Sequence, residues 1–195
     1  MKNITNISPT KISSFITKFP LFLPTVTKLN EAKITWMLGG SGCLFLLGND
    51  RVPDDADISI PDDEHDRADE LFNIKSYFHI SPAGPVRNSN PEGDHSIQFT
   101  SLLKFNFDKY YEFGINETIN NQKIHFQHEG VDLYLLPPED VLLIKALLQR
   151  GPEEGKQDIE DIRNFEKIYT LDQDYLKKRI AELGAENRVN HVLFQ

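Results

Sequence analysis

Two aspartates separated by one residue are the first side chains whose type and spacing suggest chemistry. They are Asp55 and Asp57, at the start of a β-rich run over 56–60. Residues two apart on a strand project from the same face, so these carboxylates repel each other unless a cation lies between them. Mg²⁺ prefers hard oxygen ligands and also binds substrate phosphates. The pair therefore predicts a magnesium site formed by Asp55 and Asp57.

A glycine bend precedes the acidic pair in the sequence. Gly39, Gly40 and Ser41 directly follow a β-rich run over 34–38. Glycine lets the backbone approach a phosphate without a side-chain clash, and a helix that begins at Ser41 would direct free N–H groups at the same anion. Arg51, beside the acids, is expected either to contact a phosphate or to anchor the turn. Each motif alone is typical of an ordinary turn or strand end, and their order together indicates a phosphate site.

Hydrophobic periodicity and turn residues predict the elements that position these side chains. Predicted strands span 34–38, 56–60, 76–80, 95–105 and 131–136, with a hairpin of 115–119 and 122–127. Predicted helices span 9–19, 25–32, 41–47, 62–72, 139–150, 153–169 and 172–183, and 81–93 is predicted to be a loop. This mixture predicts an α+β fold with a mixed sheet flanked by helices. The expected units are N-terminal helices over 1–33, an α/β core over 34–136 and a C-terminal helical subdomain over 137–195.

Composition and charge exclude several classes of protein. The chain has 195 residues, 39% of them hydrophobic, and no apolar run approaches the ~20 residues that span a bilayer. The N-terminus lacks the pattern of a secretory signal, and a single cysteine, Cys43, is typical of a reducing compartment, so a cytoplasmic location is expected. The formal net charge of −9 argues against a general electrostatic grip on nucleic acid.

The order of these motifs resembles the nucleotidyltransferase superfamily with the polymerase-β-like fold. Its signature is a Gly-Gly/Ser turn, a short helix and then Arg-x-Thr-x-Asp-x-Asp before an apolar residue, which Leu38–Ser41 and Arg51–Ile58 match except that Pro53 replaces the threonine. The resemblance implies a mixed-sheet nucleotidyltransferase core and transfer of a nucleoside monophosphate from a nucleoside triphosphate to an acceptor hydroxyl. It implies Mg²⁺ as cofactor. It assigns Asp55 and Asp57 as catalytic metal ligands, and Gly39, Gly40, Ser41 and Arg51 as nucleotide-binding residues.

The C-terminal half narrows the resemblance to the AbiEii-type branch, which includes toxins of bacterial toxin–antitoxin pairs. The matching residues are Leu136–Val141, Lys145, Arg150 and Lys156–Ile162. In that branch a lysine on the helix after the strand and an aspartate at the start of the next helix complete the nucleotide site. The resemblance therefore assigns Lys145 and Asp158 as catalytic, with Lys145 also binding nucleotide. A functional role for Lys145 also has separate physical support. Burying a lysine in an all-apolar helix costs free energy unless its ammonium reaches solvent or an anion.

The position of a third carboxylate stays open. Many members of the superfamily place a third acid on a later strand, where it acts as a general base. Asp132, on the strand over 131–136, is one candidate for this acid and for a third metal ligand. The other candidate for the strand that carries the third acid contains Ser96–Phe99. That strand offers Gln98, which cannot accept a proton.

The acceptor and the partners also stay open. The resemblance implies a tRNA acceptor and an antitoxin protein if the chain is a toxin. The acidic composition favours instead a small-molecule acceptor, as in an antibiotic adenylyltransferase. Gln98 and Pro53 favour a third interpretation, in which the domain binds nucleotide or a protein partner without catalysing transfer. No membrane partner is expected.

Overall fold

A computed structural model describes residues 2–3, 7–81, 84–91 and 96–194. The helices of these residues are α1 (Pro9–Lys18), α2 (Phe22–Glu31), α3 (Gly40–Leu46), α4 (Asp62–Phe72), α5 (Glu117–Gln122), α6 (Pro138–Leu148), α7 (Asp158–Glu166), α8 (Gln173–Leu183) and α9 (Glu186–Leu193). The strands are β1 (Lys2–Asn3), β2 (Met37–Leu38), β3 (Ala56–Ser59), β4 (Tyr77–Ser81), β5 (Gly84–Ser89), β6 (Ile97–Asn106), β7 (Tyr110–Phe113), β8 (Ile124–His128) and β9 (Val131–Leu135). None of the described helices is long and apolar enough to cross a membrane.

The described strands form one mixed sheet. Their order is β1-β8-β9-β2-β3-β6-β5-β4, and β7 pairs with β6 beside this path. The pairs β2–β9, β3–β6 and β1–β8 are parallel, and the other neighbours are antiparallel. The short strand β2 lies beside β3, with Leu38 opposite Ile58. This pairing brings the bend after β2 next to the acids of β3.

The hydrophobic core is one cluster to which all three predicted segments contribute. In the N-terminal segment, Phe22 of α2 packs edge-on against Trp36, and Trp36 packs edge-on against Tyr134 of β9. In the C-terminal segment, α6 is buried along nearly its whole length, as its apolar sequence predicts. Helix α6 contacts α3, α7, α8 and α9. It is therefore the element that joins the sheet side of the molecule to the last three helices.

The predicted α+β class with a mixed sheet is confirmed, and several helices agree closely with their predicted bounds. The helix predicted over 62–72 is α4 with the same bounds. The strand predicted over 34–38 is confined to Met37–Leu38, and the helix predicted over 153–169 divides into a 3₁₀ turn, Pro152–Glu154, and the shorter α7.

Two predictions about the middle of the chain are wrong, and some elements were not predicted. The expected loop over 81–93 contains strand β5, because its backbone pairs with β4 on one side and β6 on the other; residues 82–83 and 92–93 of that loop lie outside the described residues. The expected hairpin around Asn120 is instead α5 followed by β8, because the Asn116 side chain caps the helix by accepting a bond from Ile119 N–H at 3.0 Å. Strand β7 and helix α9 were not predicted from the sequence.

Candidate active site

The glycine bend and the acidic pair are in direct contact. The Gly39 N–H donates to the Asp57 carbonyl oxygen at 2.8 Å, and α3 begins at Gly40. Gly40 has φ +54°, in the left-handed region that favours glycine. A Cβ at this position would lie 2.2 Å from Asp57 Oδ2. The absence of a side chain at Gly40 therefore makes room for the Asp57 carboxylate.

Asp55 and Asp57 are half-buried acids without an ion-pair partner among the described residues. Asp57 lies on β3 and Asp55 comes immediately before the strand. Neither carboxylate forms an ion pair or a hydrogen bond with another described side chain. Burial, followed by the negative charge of Asp55, raises the pKa of Asp57 to about 7, although the charges of Lys156, Lys145 and Arg150 act in the opposite direction. A cation between the two acids would remove this electrostatic conflict.

A cavity of about 420 Å³ opens in front of these acids. Its charged lining residues are Arg51, Asp54, Asp55, Asp57, Lys145, Arg150 and Lys156. The other lining residues are Gly40, Ser41, Ser59, Tyr77, Asn88, Gln98, Thr100, Leu103, Phe105, Leu136, Val141, Ile144 and Leu148. The bend, β3, β6 and α6 thus contribute to one cavity. Its volume is in the range of small-molecule sites.

The sheet forms a floor of uncharged polar side chains beside the acids. Gln98 of β6 is the register partner of Asp57, and Thr100 of β6 is the partner of Ser59. Across β5 and β4, Asn88 pairs with Thr100 and Tyr77 pairs with Asn88. Side chains of register partners lie on the same face of a sheet. The floor, defined as Ser59, Gln98, Thr100, Asn88 and Tyr77, therefore extends from the acids towards the edge strand β4.

A β-bulge continues this floor with apolar side chains. Asn88 of β5 pairs with Thr100 of β6, and the next pair is Val86 with Leu103. Two residues along β5 therefore correspond to three residues along β6, which has one extra residue. An extra residue of this kind reverses which side chains face each side of the sheet. Leu103 and Phe105 consequently line the same cavity as Gln98 and Thr100.

A buried charge network stands opposite the floor. Lys145 of α6 donates to Asp158 Oδ1 at 3.1 Å and to Asp161 Oδ2 at 2.8 Å. Arg51 donates to the same Asp161 oxygen at 2.7 Å, and the Arg150 Nε donates to Asp158 Oδ2 at 2.8 Å. The three cations thus share two carboxylates, and both carboxylates are almost fully buried. We call these five residues the charge network.

The charge network explains the protonation state of Asp158. Burial alone would raise the pKa of this carboxyl. The hydrogen bond from Arg150 and the charge of Lys145 outweigh burial and hold the pKa of Asp158 below its ordinary value. Asp158 is therefore a carboxylate that orients Lys145 and Arg150.

The structure brings most of the predicted site residues together. Gly40, Ser41, Arg51, Asp55, Asp57 and Lys145 line the cavity, and Gly39 and Asp158 each contact a lining residue. Of the two roles expected for Arg51, the geometry matches the anchor, because its guanidinium is held by Asp161 and lies 3.5 Å from Asp54. Asp161 and Lys156 were not assigned from the sequence, although both lie in the C-terminal motif that carries the resemblance.

Asp132 lies apart from the residues that line the cavity. Its carboxylate accepts from Gln127 Nε2 at 2.8 Å and lies 2.7 Å from His125 Nε2, both on the neighbouring strand β8. The side chain beside Asp57 on the next strand is Gln98. The structure thus places the strand position of Gln98, rather than Asp132, next to Asp57, and the residue there is uncharged.

The donor set fits Mg²⁺. Two uncompensated carboxylates supply the hard oxygen ligands that this ion prefers, and it commonly completes its shell with water and substrate phosphates. No group of three or more metal-ligating side chains occurs among the described residues.

Two proteins of known structure share the fold of this chain. A Thermotoga maritima protein assigned as a nucleotidyltransferase, TM1012, matches with a TM-score of 0.56 and 14% identity over 71% of this chain and 89% of its own. The solution structure of the antibiotic-resistance factor ANT(2'')-Ia matches with a TM-score of 0.55 and 14% identity over 90% of this chain and 96% of its own. Its crystal structure in complex with adenylyl-2''-tobramycin matches with a TM-score of 0.54 and 12% identity over 88% of this chain and 99% of its own. No protein-family model and no curated protein matches the sequence.

The chain therefore has the nucleotidyltransferase fold. The sequence signature at Gly39–Ser41 and Arg51–Ile58 lies in the fold as a bend and strand that share one cavity. The motif order and the backbone architecture thus agree on the fold. The AbiEii-type branch stays a prediction.

Proposed function

We propose that this protein is a Mg²⁺-dependent nucleotidyltransferase that transfers a nucleoside monophosphate from a nucleoside triphosphate to a hydroxyl of a small molecule. The observation that carries the proposal is the contact between the Gly39–Gly40 bend and Asp57, beside the uncompensated pair of Asp55 and Asp57. The nucleotidyltransferase fold supports the same reaction class.

In this reaction the acceptor oxygen attacks the α-phosphorus, the bond from that phosphorus to the bridging oxygen breaks, and pyrophosphate leaves with the electron pair. Asp55 and Asp57 would hold Mg²⁺, which neutralises phosphate charge when it is bound. Gly40 gives the nucleotide close access to the backbone. Lys145, oriented by Asp158, would stabilise charge that develops in the transition state. The described acids available to accept the hydroxyl proton are Asp54, Asp55 and Asp57.

The size and lining of the cavity favour a small acceptor. The floor offers amide and hydroxyl groups near the metal acids and apolar contacts at Leu103 and Phe105. These groups suit a molecule with hydroxyls and an apolar part. The net charge of −9 disfavours a polyanionic acceptor such as tRNA. ANT(2'')-Ia, which shares the fold, was crystallised with an adenylylated antibiotic, tobramycin, and this supports the small-molecule class.

Gln98 favours a second candidate function, a nucleotide-binding module without transfer. An amide beside Asp57 cannot serve as the general base that a carboxylate would supply. In this alternative the acids would still bind Mg²⁺ and nucleotide. The toxin interpretation, with tRNA as acceptor and an antitoxin protein as partner, is a further outcome that the same experiment detects.

The test uses ATP labelled at the α- or the γ-phosphate, incubated with the protein, Mg²⁺ and either tRNA, tobramycin or a protein-free extract of bacterial small molecules. We expect the α-label on a small molecule, the γ-label in pyrophosphate, and no transfer by Asp57→Asn. Asp63→Asn changes an exposed acid of α4 and serves as the matched control. Label on tRNA would favour the toxin interpretation. Binding of Mg²⁺–ATP without any transfer would favour the binding module, and no binding at all would contradict both.

A further inference from the structure

The charged and the uncharged side chains of the cavity come from different elements. The described charged lining residues belong to the segment between α3 and β3, to β3 itself, to α6 or to the connection after α6: Arg51, Asp54, Asp55, Asp57, Lys145, Arg150 and Lys156. Strands β4, β5 and β6 contribute only uncharged side chains to the described lining, namely Tyr77, Asn88, Gln98, Thr100, Leu103 and Phe105. The part of the cavity that these three strands form is therefore neutral.

Charged residues do occur on β5 and β6, but they are engaged elsewhere. Arg87 of β5 forms an ion pair with Asp66 of α4, and the Lys104 ammonium of β6 lies 4.0 Å from the Glu112 carboxylate of β7. Each of these cations is the immediate neighbour, along its strand, of a residue that lines the cavity. Because side chains alternate along a strand, both cations face the opposite side of the sheet. The register of the strands thus keeps charge out of this part of the cavity.

Four of the floor residues form a row across the sheet. Ser59 of β3, Thr100 of β6, Asn88 of β5 and Tyr77 of β4 are successive register partners. With ~4.8 Å between neighbouring strands, the row extends for about 14 Å from β3 to the edge strand β4. A row of this length suits a ligand larger than a monosaccharide.

One hydrogen bond in this row orients an amide. The Thr100 hydroxyl donates to Asn88 Oδ1 at 3.1 Å, so the Asn88 Nδ2 hydrogens are directed away from Thr100. Asn88 is only 6% exposed, and its Nδ2 donates to no other group that the structure describes. The Gln98 amide likewise has no hydrogen-bond partner within the described part of the chain. Both amides line the cavity and are available to a ligand on the floor.

A charged ligand would bind poorly to the floor. An ammonium group placed along β5 would lose water without gaining a carboxylate, since the described acids of the cavity belong to the segment that leads into β3 and to β3 itself. A phosphate or carboxylate placed there would find no described cation on β4, β5 or β6. A hydroxyl both donates and accepts, and so it can pair with amides and with other hydroxyls.

We propose that the floor binds the acceptor and selects an uncharged molecule that carries several hydroxyls and an apolar part, with Asn88, oriented by Thr100, as the specificity-determining donor. This inference rests on the proposed function and names the substrate class for it. Acceptor hydroxyls bind the amides of the floor, and the apolar part packs on Leu103 and Phe105. A site built to pair hydroxyls rejects charged analogues, because its buried polar groups are then left without suitable partners.

The first test uses ATP labelled at the α-phosphate, Mg²⁺ and a protein-free extract of bacterial small molecules that ion-exchange resins have divided into neutral, cationic and anionic fractions. We expect label in the neutral fraction, and less than about a tenth of that amount in either charged fraction or on tobramycin, which carries amino groups. Label mainly in a charged fraction or on tobramycin would overturn the inference and leave the proposed function standing. No transfer to any of these acceptors would contradict the proposed function itself.

The second test compares Thr100→Val and Asn88→Asp with the parent on the neutral fraction. Valine keeps the shape of threonine but cannot hold the Asn88 amide, and aspartate has no N–H to donate. We expect each variant to transfer label about tenfold more slowly, because hydrogen bonds to the acceptor are lost. The affinity of each variant for Mg²⁺–ATP, measured by isothermal titration calorimetry, should stay within about twofold of the parent.

Asn187→Asp is the matched control, since it makes the same exchange at an exposed position of α9 and should label the neutral fraction as the parent does. Transfer at the parent's rate by both Thr100→Val and Asn88→Asp would overturn the role of the floor. Equal losses of transfer and of ATP affinity would also contradict it, because a floor that only supports the fold would weaken both. Circular dichroism and the Tm of each variant exclude unfolding as the cause.

Discussion

At the scale of single residues, Gly40 is where backbone conformation and chemistry coincide. Its φ of +54° lies in the region that favours glycine, and its missing Cβ leaves space for the Asp57 carboxylate. The sequence predicts a glycine bend here for access to phosphate. The structure adds that the same glycine leaves space for the Asp57 carboxylate, so two requirements act on one position.

Gly40→Ala is therefore expected to abolish Mg²⁺-dependent ATP binding, because the new Cβ would overlap Asp57 Oδ2 and displace the carboxylate. Calorimetric titration of Mg²⁺–ATP is the measurement. Gly155→Ala is a suitable control, since Gly155 also has a positive φ, +67°, but nothing lies within 4 Å of the added Cβ. The control should lose only about 1 kcal/mol of stability and keep its ATP affinity. Equal loss of ATP binding in both variants would contradict this account.

At the scale of elements, the charge network joins the turn before β3 to α6 and α7. One Asp161 oxygen receives Arg51 from the turn and Lys145 from α6, and Asp158 binds Lys145 and Arg150. Helix α7 thus supplies two acids from its first turn. Without them, Lys145 and Arg150 would have no ion-pair partner among the described residues, and Arg51 would keep only Asp54.

Asp161→Asn is expected to lower the free energy of unfolding by about 3 kcal/mol, because removal of one partner leaves buried charge without compensation. Urea denaturation followed by circular dichroism measures this loss. Glu160→Gln, an exposed change on the same helix, should alter stability by less than about 0.5 kcal/mol. A double-mutant cycle with Arg51→Met would show coupling between the two residues. A loss no larger than that of Glu160→Gln would indicate that the network is not buried as described.

At the scale of the whole molecule, a second buried polar cluster lies on the face of the sheet covered by α4. His65 is fully buried, its Nε2 lies 3.1 Å from Ser89 Oγ and 3.5 Å from Asp69 Oδ1, and its Nδ1 has no hydrogen-bond partner. Burial lowers the pKa of His65 below its ordinary 6.5, and this outweighs the opposing charge of Asp69. The folded protein therefore keeps His65 neutral where the unfolded chain already binds a proton.

This difference predicts that His65 destabilises the fold in acid. The contribution of neutral His65 to the free energy of unfolding is complete above the unfolded pKa of 6.5. It is lost progressively as the pH falls below that value, because the unfolded state then takes up more protons than the folded state. Denaturation of the parent and of His65→Gln between pH 5.5 and 8 measures it. The difference in stability between parent and variant should shrink or reverse at pH 5.5. A curve for His65→Gln that runs parallel to that of the parent over this pH range would disprove the prediction.

The proximity of the glycine bend and the acidic pair could be predicted from the sequence, since these residues are close in the chain. The segment from Gly39 to Asp57 contains both the glycine bend and the acidic pair. The conformational preference of glycine and the alternation of side chains along a strand are sufficient to propose that the two are in contact. The floor could not be predicted, because Tyr77, Asn88 and Thr100 meet only through strand pairing. The polar, proline-containing segment around β5 is typical of a loop and becomes a strand because neighbours satisfy its backbone on both sides.

The sequence by itself determined the superfamily resemblance, the α+β class, the acidic pair and the lysine of α6, all of which follow from short-range pattern. Only the tertiary structure decided that Gln98 rather than Asp132 lies beside Asp57, and that Arg51, Lys145 and Arg150 are paired with buried acids of α7. Strand order and the pairing of distant charges depend on which surfaces are buried against each other when the chain folds. That is a property of the whole packed molecule and is not encoded in any local spacing of residues.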